Sequence, residues 1–300
     1  MAARRDVIIG TIIAGSFLLF VAMMFLALWG VSSSDDQGFS GFGDRIAVVE
    51  VSGQISSSRS IVAQLRKWGE ADNVPIILLR VDSPGGGVAA SQEIHEEILR
   101  VRAKGKKVVA SMGTVAASGG LYVAVACDTI VANPGTLTGS IGVIFQYPTF
   151  ERLLDKVGIR YETVKSGPYK DIGNLSRDMN PRDSAHLQSI IDDTYDQFVE
   201  AVATGRHMTK DEVKVFADGR IFTGRQAKNL HIVDELGDYH DALDIAADMV
   251  GISKPPKTVT EEPRKRTGLL DFLGHSFIDW VKSEGQNWEY TEPGLQYRYQ

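Results

Sequence analysis

The sequence VPIILLRVDSPGGGVAASQEIHEEILRVRAKGKKVVASMG, residues 74–113, contains the pattern that decides the fold. Residues 74–83 are almost continuously apolar, which is typical of a strand buried on both faces. Residues 87–105 have helical spacing and end with basic residues and Gly105, and residues 106–113 are a second apolar strand. A strand, a helix and a strand in this order predict a parallel βαβ unit.

The same alternation extends in both directions from this unit. We predict further strands at 45–53, 128–133, 139–145 and 159–167, and helices at 60–71, 118–127 and 149–158. Four more helical segments follow, at 181–206, 209–219, 223–237 and 238–251, and no boundary separates them from the strands. The expected fold class is α/β with a mostly parallel sheet, and the later helices cover that sheet.

The amino-terminal region predicts a membrane anchor. Residues 7–30 contain no charged side chain, and a helix of that length spans a hydrocarbon core of about 30 Å. Arg4 and Arg5 precede this segment, which favours a cytoplasmic terminus at 1–6 and a domain on the far side of the plasma membrane. A cleaved signal peptide is the alternative. Residues 31–44 are predicted to be a linker, and residues 45–250 a single domain.

Residues 251–300 are predicted to contain a charged, proline-rich linker, an amphipathic helix and a tail. The apolar side chains of that helix fall on one face: Leu269, Leu270, Leu273, Phe277, Trp280 and Val281. Such a face can pack on the domain or on a neighbouring subunit. It can also lie at the surface of the membrane.

Composition excludes several function classes. The net charge of −6 disfavours nucleic acid as a partner, because phosphate binding needs a basic face. The single cysteine, Cys127, lies in an apolar run and is interpreted as a small buried hydrophobe. Gly85, Gly87 and Ala90 fit a dinucleotide-binding pattern, but the next strand lacks the acid that this pattern requires. We therefore expect no nucleotide cofactor and no metal ion.

A candidate nucleophile lies in the stretch AASGG, residues 116–120. Ser118 is at a predicted strand-to-helix junction, and the amide of Gly119 follows directly. The three glycines at 85–87 also lead into a helix, where free amides can hold a ligand anion or an oxyanion. An isolated serine among glycines also fits close helix packing, so this stretch alone does not establish catalysis.

A serine nucleophile needs a base. The six histidines lie in contexts typical of exposed helical faces or turns, so we expect all of them at the surface. The alternative bases are Lys165 and Lys170, between which spacing does not choose. A lysine acts as a base only where its amine is neutral, and burial favours that form. Asp171 would oppose neutrality, unless an extended backbone directs adjacent side chains to opposite faces.

Four blocks resemble the signal peptide peptidase A family of S49 serine proteases: DSPGGGV, SMGTVAASGGLYVAVACDTIVANPGTLTGSIGVI, KSGPYKDIGNLSRDM and DGRIFTGRQAKNLHIVDELG. The resemblance covers residues 45–250. The chain resembles the short, single-domain form of the family. It implies a ClpP/crotonase-like fold of repeated β-β-α units. It also implies that Ser118 is the nucleophile, Lys170 the base and Lys165 a strand-end residue. The same resemblance implies oxyanion amides at Gly86 and Gly119, and a hydrogen bond from Ser140 to the lysine amine.

The resemblance further implies the substrate and the assembly. Members cut signal peptide remnants left in the membrane, favour small apolar residues near the scissile bond, and form dome-like homo-oligomers. Residues 174–176, NLS, depart from the serine-proline pattern expected there, which affects a loop shape and not the catalytic pair. Two alternatives remain open at this point. One is a crotonase-like acyl-thioester enzyme, which shares the fold. The other is a catalytically inactive membrane scaffold.

Overall fold

The computed structural model describes residues 44–261 and the backbone of residues 296–298. The predicted anchor at 7–30 and the predicted amphipathic helix lie outside the described residues. No helix in the described part is both long enough and apolar enough to span a bilayer.

Ten strands and eight helices make up this part of the chain. The strands are β1 (Ile46–Ser52), β2 (Ile76–Ser83), β3 (Gly85–Gly87), β4 (Lys107–Ala117), β5 (Thr129–Ala132), β6 (Leu137–Gly139), β7 (Ile221–Thr223), β8 (Glu235–Leu236), β9 (Thr258–Thr260) and β10 (Gln296–Arg298). The helices are α1 (Arg59–Glu70), α2 (Val88–Ala103), α3 (Gly119–Ala124), α4 (Glu151–Lys156), α5 (Pro181–Arg206), α6 (Lys210–Lys214), α7 (Gly224–Asn229) and α8 (Tyr239–Val250).

The main sheet has eight strands and is mostly parallel. Its longest path runs β7-β6-β4-β2-β1-β9, and β5 and β8 extend it from β4. Only the β6/β7 pair in this sheet is antiparallel. The eleven-residue strand β4 pairs with β5 along its first part and with β6 along its last three residues. The end of β4 is therefore held between the ends of β2 and β6.

Both faces of the sheet are buried, as the continuous apolar runs predict. One set of alternating side chains, including Ile46, Val48, Ile76 and Leu78, packs against the alanine-rich face of α8. The other set, including Ala47, Val49, Ile77 and Leu79, faces a larger core that contains residues of α1, α2, α3 and α5. The prediction of a mostly parallel α/β sheet is confirmed.

Four segments differ from the predicted elements. In the predicted helix 223–237, only Gly224–Asn229 is helical, and Glu235–Leu236 forms β8, which pairs with β5. Of the predicted strand 139–145, only Gly139 belongs to the main sheet. Ser140 takes a φ of 52°, which turns the chain away from the neighbouring strands. The predicted strand 159–167 forms no strand, because its residues lie exposed with no neighbouring strand to pair with. In the predicted linker, Thr258–Thr260 forms β9, which pairs with β1 and extends the sheet.

Two single-residue predictions have different outcomes. Cys127 is buried, as expected, and burial raises the pKa of its thiol. His95 was expected at the surface, but this prediction is wrong, since the residue is 8% exposed and its ring lies 5.0 Å from that of Tyr122. Burial lowers the pKa of His95. The histidine faces the aromatic core between α2 and α3, which its local sequence does not reveal.

A bulge in β4 changes the direction of this strand just before Ser118. Val81 pairs with Met112, but Ser83 pairs with Ala116, so β4 contains two more residues than β2 between these points. The Asp82 carboxylate accepts a hydrogen bond from the backbone N–H of Val115 (3.1 Å), which holds the bulge in place. Bulges of this kind redirect the residues that follow them.

Candidate functional site

Ser118 lies between the end of β4 and the first residue of α3. Its backbone has φ 52° and ψ −117°, outside the regions that a side chain ordinarily allows, which costs about 1–3 kcal/mol. Its N–H donates to the carbonyl of Gly139 (2.8 Å), so the turn is fixed against β6. The residue is fully buried, and its Oγ has no hydrogen-bond partner in the described part of the chain.

The glycines at 85–87 form the short strand β3. Ile55 donates its N–H to the carbonyl of Gly85 (2.9 Å) and accepts from the N–H of Gly87 (2.8 Å). Since strand groups alternate in direction, the N–H and C=O of Gly86 point to the opposite edge. A Cβ at Gly86 would lie 2.3 Å from the carbonyl oxygen of Ile55, so only glycine fits there.

Gly119 brings the serine turn into contact with β3. A Cβ on Gly119 would lie 3.1 Å from the Cα of Gly85, 3.2 Å from the nitrogen of Gly86 and 2.6 Å from Ser91 Oγ. Gly119 is the first helical residue, so its N–H has no acceptor within α3. The glycines beside Ser118 therefore allow two backbones to approach closely.

The free edge of β3 is occupied by β10. Gln296–Arg298 pairs antiparallel with Gly85–Gly87, and Tyr297 is directly opposite Gly86. The strand β3 thus accepts an extended chain on the edge to which the Gly86 backbone groups point. The sequence did not reveal this pairing, because residues 296–298 are separated from Gly86 by more than 200 positions and have no periodic pattern.

Ser140 lies next to the serine turn. It follows Gly139, which accepts the Ser118 N–H, and it also has a positive φ of 52°. Its own N–H donates to the carbonyl of Arg220 (2.8 Å), and the residue is 8% exposed. The structure therefore brings Ser118, Gly119, Gly86 and Ser140 to one end of the sheet.

The two candidate lysines lie elsewhere, in the segment between α4 and α5. Lys165 donates to Asp171 Oδ1 (2.6 Å) and to the carbonyl of Pro168 (3.4 Å). Lys170 is exposed in the turn at 168–173, and no ion pair or side-chain hydrogen bond engages its amine among the described residues. Since Ser118 Oγ has no partner among residues 44–261, no hydrogen bond joins it to Lys170.

Comparison with known families assigns the chain. Residues 100–253 match the model of peptidase family S49, and residues 42–134 match that of Clp protease. The first match covers just over half of the 300 residues. The chain belongs to peptidase family S49. It is therefore a serine peptidase, a hydrolase of peptide bonds, and the predicted membership of the signal peptide peptidase A family is confirmed.

Individual relatives agree with this assignment. A Synechocystis protein named as a protease is 48% identical to this S49 peptidase over 223 residues, which are 73% of this chain and 80% of that protein. An Enterococcus faecium protein named for signal peptide peptidase SppA is 36% identical, over 74% of this chain and 64% of its own length. Protease 4 of Haemophilus influenzae is 35% identical, over 79% of this chain and 38% of its own length. The chain thus spans less than two thirds of the last two relatives.

The close approach at Gly119 generates a prediction for this S49 peptidase. Gly119→Ala should lower the free energy of unfolding by about 1–3 kcal/mol, because the new methyl group meets backbone atoms of β3 that cannot rotate away. Peptidase activity should fall as well, since Ser118 is adjacent. Urea unfolding followed by circular dichroism measures the first effect.

Gly135→Ala is the matched control, because a Cβ there meets no atom within 4 Å. Equal stability of the two variants would contradict the close-packing interpretation.

Proposed function

We propose that this S49 peptidase is a membrane-anchored endopeptidase that degrades cleaved signal peptides, with Ser118 as nucleophile and Lys170 as general base. The observation that carries the proposal is the contact between the Ser118 turn and a glycine strand that pairs with an extended segment. A peptide substrate would replace β10 on β3, where its backbone meets Gly86 and its scissile carbonyl reaches Ser118.

The proposed reaction gives each of these residues a role. The neutral amine of Lys170 takes the proton of Ser118 Oγ as the oxygen attacks the carbonyl carbon of the scissile bond. The negative oxygen that forms is stabilised by the N–H groups of Gly86 and Gly119. The protonated amine then donates to the leaving nitrogen, and the C–N bond breaks to leave an ester on Ser118. Water, deprotonated by the same amine, hydrolyses this ester.

Small residues around the nucleophile favour small apolar side chains in the substrate. Ala116, Ala117, Gly119 and Gly120 are all fully buried beside Ser118, so little side-chain volume separates the serine from a bound peptide. Signal peptides offer extended apolar segments that end in small residues. This match supports signal peptide remnants as the substrate.

Of the two lysines, Lys170 is the better base. The amine of Lys165 is held by the Asp171 carboxylate, and an ion pair favours the protonated form that cannot accept a proton. The amine of Lys170 has no such partner in the described residues, so it is available to a nearby hydroxyl. Ser140 lies beside the Ser118 turn, and in this proposal its hydroxyl forms a hydrogen bond with the Lys170 amine when that amine reaches Ser118.

A second copy of the chain completes the site in this proposal. The segment from α4 to the start of α5 carries Lys170 and exposes large apolar side chains, and α4 has no buried residue. The exposed apolar residues include Phe150, Leu153, Val157, Ile159, Tyr161 and Val164. Exposed apolar clusters of this kind are typical of protein interfaces. If this segment packs on a neighbouring subunit, it carries Lys170 towards that neighbour's Ser118 and removes the amine from water. The assembly is then a homo-oligomer.

The membrane location rests on the uncharged segment at 7–30, with the cytoplasmic terminus at 1–6 and the peptidase domain outside the cytoplasm. Contact with membrane lipid would place the enzyme beside its apolar substrates. We expect the full chain to stay with the membrane pellet at alkaline pH, and a chain starting at residue 44 to be released. Release of the full chain would contradict the anchor.

The shared site gives a test with mixed subunits. Ser118→Ala and Lys170→Ala should each lower kcat by about 10²-fold or more while the protein still folds. Coexpression of the two variants should restore about a quarter of wild-type activity. In a randomly mixed assembly, about a quarter of the sites combine an intact Ser118 from one subunit with an intact Lys170 from its neighbour. Hydrolysis of a fluorogenic signal peptide measures this recovery.

The control is coexpression of Ser118→Ala with the Ser118→Ala/Lys170→Ala double variant, which should stay inactive. Activity in purified Lys170→Ala alone would reject this lysine as the base. Inactive single variants that also stay inactive when coexpressed would place both residues of each site in one subunit.

Strand β10 provides a further prediction. A chain ending at residue 295 should show a lower KM for peptides at unchanged kcat, because β10 no longer competes for the edge of β3. Tyr297→Pro should have the same effect, since proline lacks the N–H that pairs with the Gly86 carbonyl. Tyr297→Ala keeps the backbone pairing and serves as the control. An unchanged KM in both the truncated chain and Tyr297→Pro would contradict the competition.

A further inference from the structure

The base proposed for this reaction is adjacent to an acidic residue. A carboxylate near an amine stabilises the protonated ammonium form, which cannot accept a proton from a serine. An extended backbone at this point would direct the Lys170 and Asp171 side chains to opposite faces. The backbone is not extended, because residues 168–173 form turns in which Lys170 N–H donates to the carbonyl of Gly167 (3.2 Å). The separation must therefore come from another source.

The Asp171 carboxylate is fully engaged by two cations. Arg177 donates from Nε to Oδ2 (3.0 Å) and from Nη2 to Oδ1 (3.0 Å), and Lys165 donates to Oδ1 (2.6 Å). The two parallel bonds from Arg177 fix the plane of the carboxylate. The Asp171 side chain is only 8% exposed. Hydrogen bonds from Arg177, and then from Lys165, hold the pKa of the Asp171 carboxyl well below its usual range.

Arg177 also connects this turn to helix α5. Its Nη2 lies 2.7 Å from Oδ2 of Asp183, a residue in the first turn of α5 that is 1% exposed. The N–H of Asp183 donates to the Asn180 side chain (3.0 Å), which caps the helix. No other cation lies within ion-pair distance of Asp183 among residues 44–261. The guanidinium thus joins one carboxylate on the lysine turn to one on a rigid helix.

Other charged or titratable groups surround this network without replacing it. Arg182 donates to the carbonyl of Pro168 (3.3 Å), and His186 stacks on Tyr169 with 4.9 Å between ring centroids. From α4, Glu151 accepts the N–H of Asp178 (2.6 Å). Burial raises the pKa of the Tyr147 phenol, whose charged neighbours include Arg177 and Asp183. None of these groups pairs with the Lys170 amine in the described part of the chain.

We propose that Arg177 is a positioning residue for the peptidase reaction, which binds Asp171 to α5 and so keeps that carboxylate away from the amine of Lys170. This inference rests on the proposed Ser118–Lys170 pair. Arg177 itself touches neither the substrate nor the reacting atoms. Its effect is to leave the adjacent amine without a counter-ion, so that the amine can reach Ser118 in its neutral form.

The test is the pH profile of kcat/KM for a fluorogenic signal peptide, measured on the full chain. Activity falls at acid pH as the base is protonated, so the midpoint of this acid limb reports the charge around the amine. In Arg177→Gln the midpoint should rise by about one pH unit, because Asp171 keeps only Lys165 of its two cationic partners and a positive charge is lost. In Asp171→Asn it should fall, because Arg177 and Lys165 lose their shared counter-ion and their positive charges then act on the amine unopposed.

The double variant Asp171→Asn/Arg177→Gln should return the midpoint to near its wild-type value, since one charge of each sign is removed. Arg177→Lys should keep the midpoint and lower kcat, because the charge remains and the two-bond contact is lost. Arg160→Gln is the matched control on the same exposed segment and should leave the profile unchanged.

The outcomes distinguish a failure of this inference from a failure of the proposed Ser118–Lys170 pair, here called the dyad. Activity in Lys170→Ala rejects the dyad, and with it the role of Arg177. If Lys170→Ala is inactive and the midpoint does not move in folded Arg177→Gln, Arg177 is only structural and the inference is overturned. If Arg177→Gln does not fold, Asp171→Asn decides, because it retains the Arg177–Asp183 ion pair. An unmoved midpoint in folded Asp171→Asn overturns the inference as well.

Discussion

The contact between two backbones at Gly119 and Gly85–Gly86 is the constraint on which the site depends. A side chain at Gly119 would overlap Ser91 and press on the β3 backbone, and a side chain at Gly86 would overlap the carbonyl of Ile55. Because both positions are glycine, the serine turn lies directly against a strand whose other edge pairs with the extended segment β10. The strained backbone of Ser118 is held by this contact and by the hydrogen bond to Gly139. Without these supports, a turn of this kind would relax.

The sheet delivers the serine to this position through one long strand. Strand β4 pairs with β2 and β5 first and with β6 at its end, and the bulge after Met112 redirects its last residues. Asp82, at the end of β2, stabilises the bulge through the Val115 N–H. The geometry of the proposed nucleophile, Ser118, therefore depends on the core. It depends on apolar side chains that are buried on both faces of the sheet.

The proposed base has the opposite environment. Lys170 lies in an exposed segment that buries little apolar surface, whereas Ser118 is completely enclosed. A lysine in water remains protonated, so the chemistry needs the amine to leave water without gaining an acidic partner. Association of two copies would remove the water, and the Arg177 network would withhold the carboxylate of Asp171. Both requirements concern the same segment, which explains why it combines exposed apolar residues with a closely paired ionic cluster.

The sequence alone determined the sheet and the Ser118 turn at its edge, because periodicity and turn residues act over a few positions. The apolar runs of β1, β2, β4 and β5, the helix starting at Pro181 and the serine at the junction to α3 were all predictable. Tertiary structure alone decided which segments meet. The pairing of β10 with Gly85–Gly87, the burial of His95, the addition of β9 to the sheet and the link between Asp171 and Asp183 depend on contacts between residues with no local signal. The expected strand at 159–167 failed for the same reason, since a strand exists only where a neighbour offers hydrogen bonds.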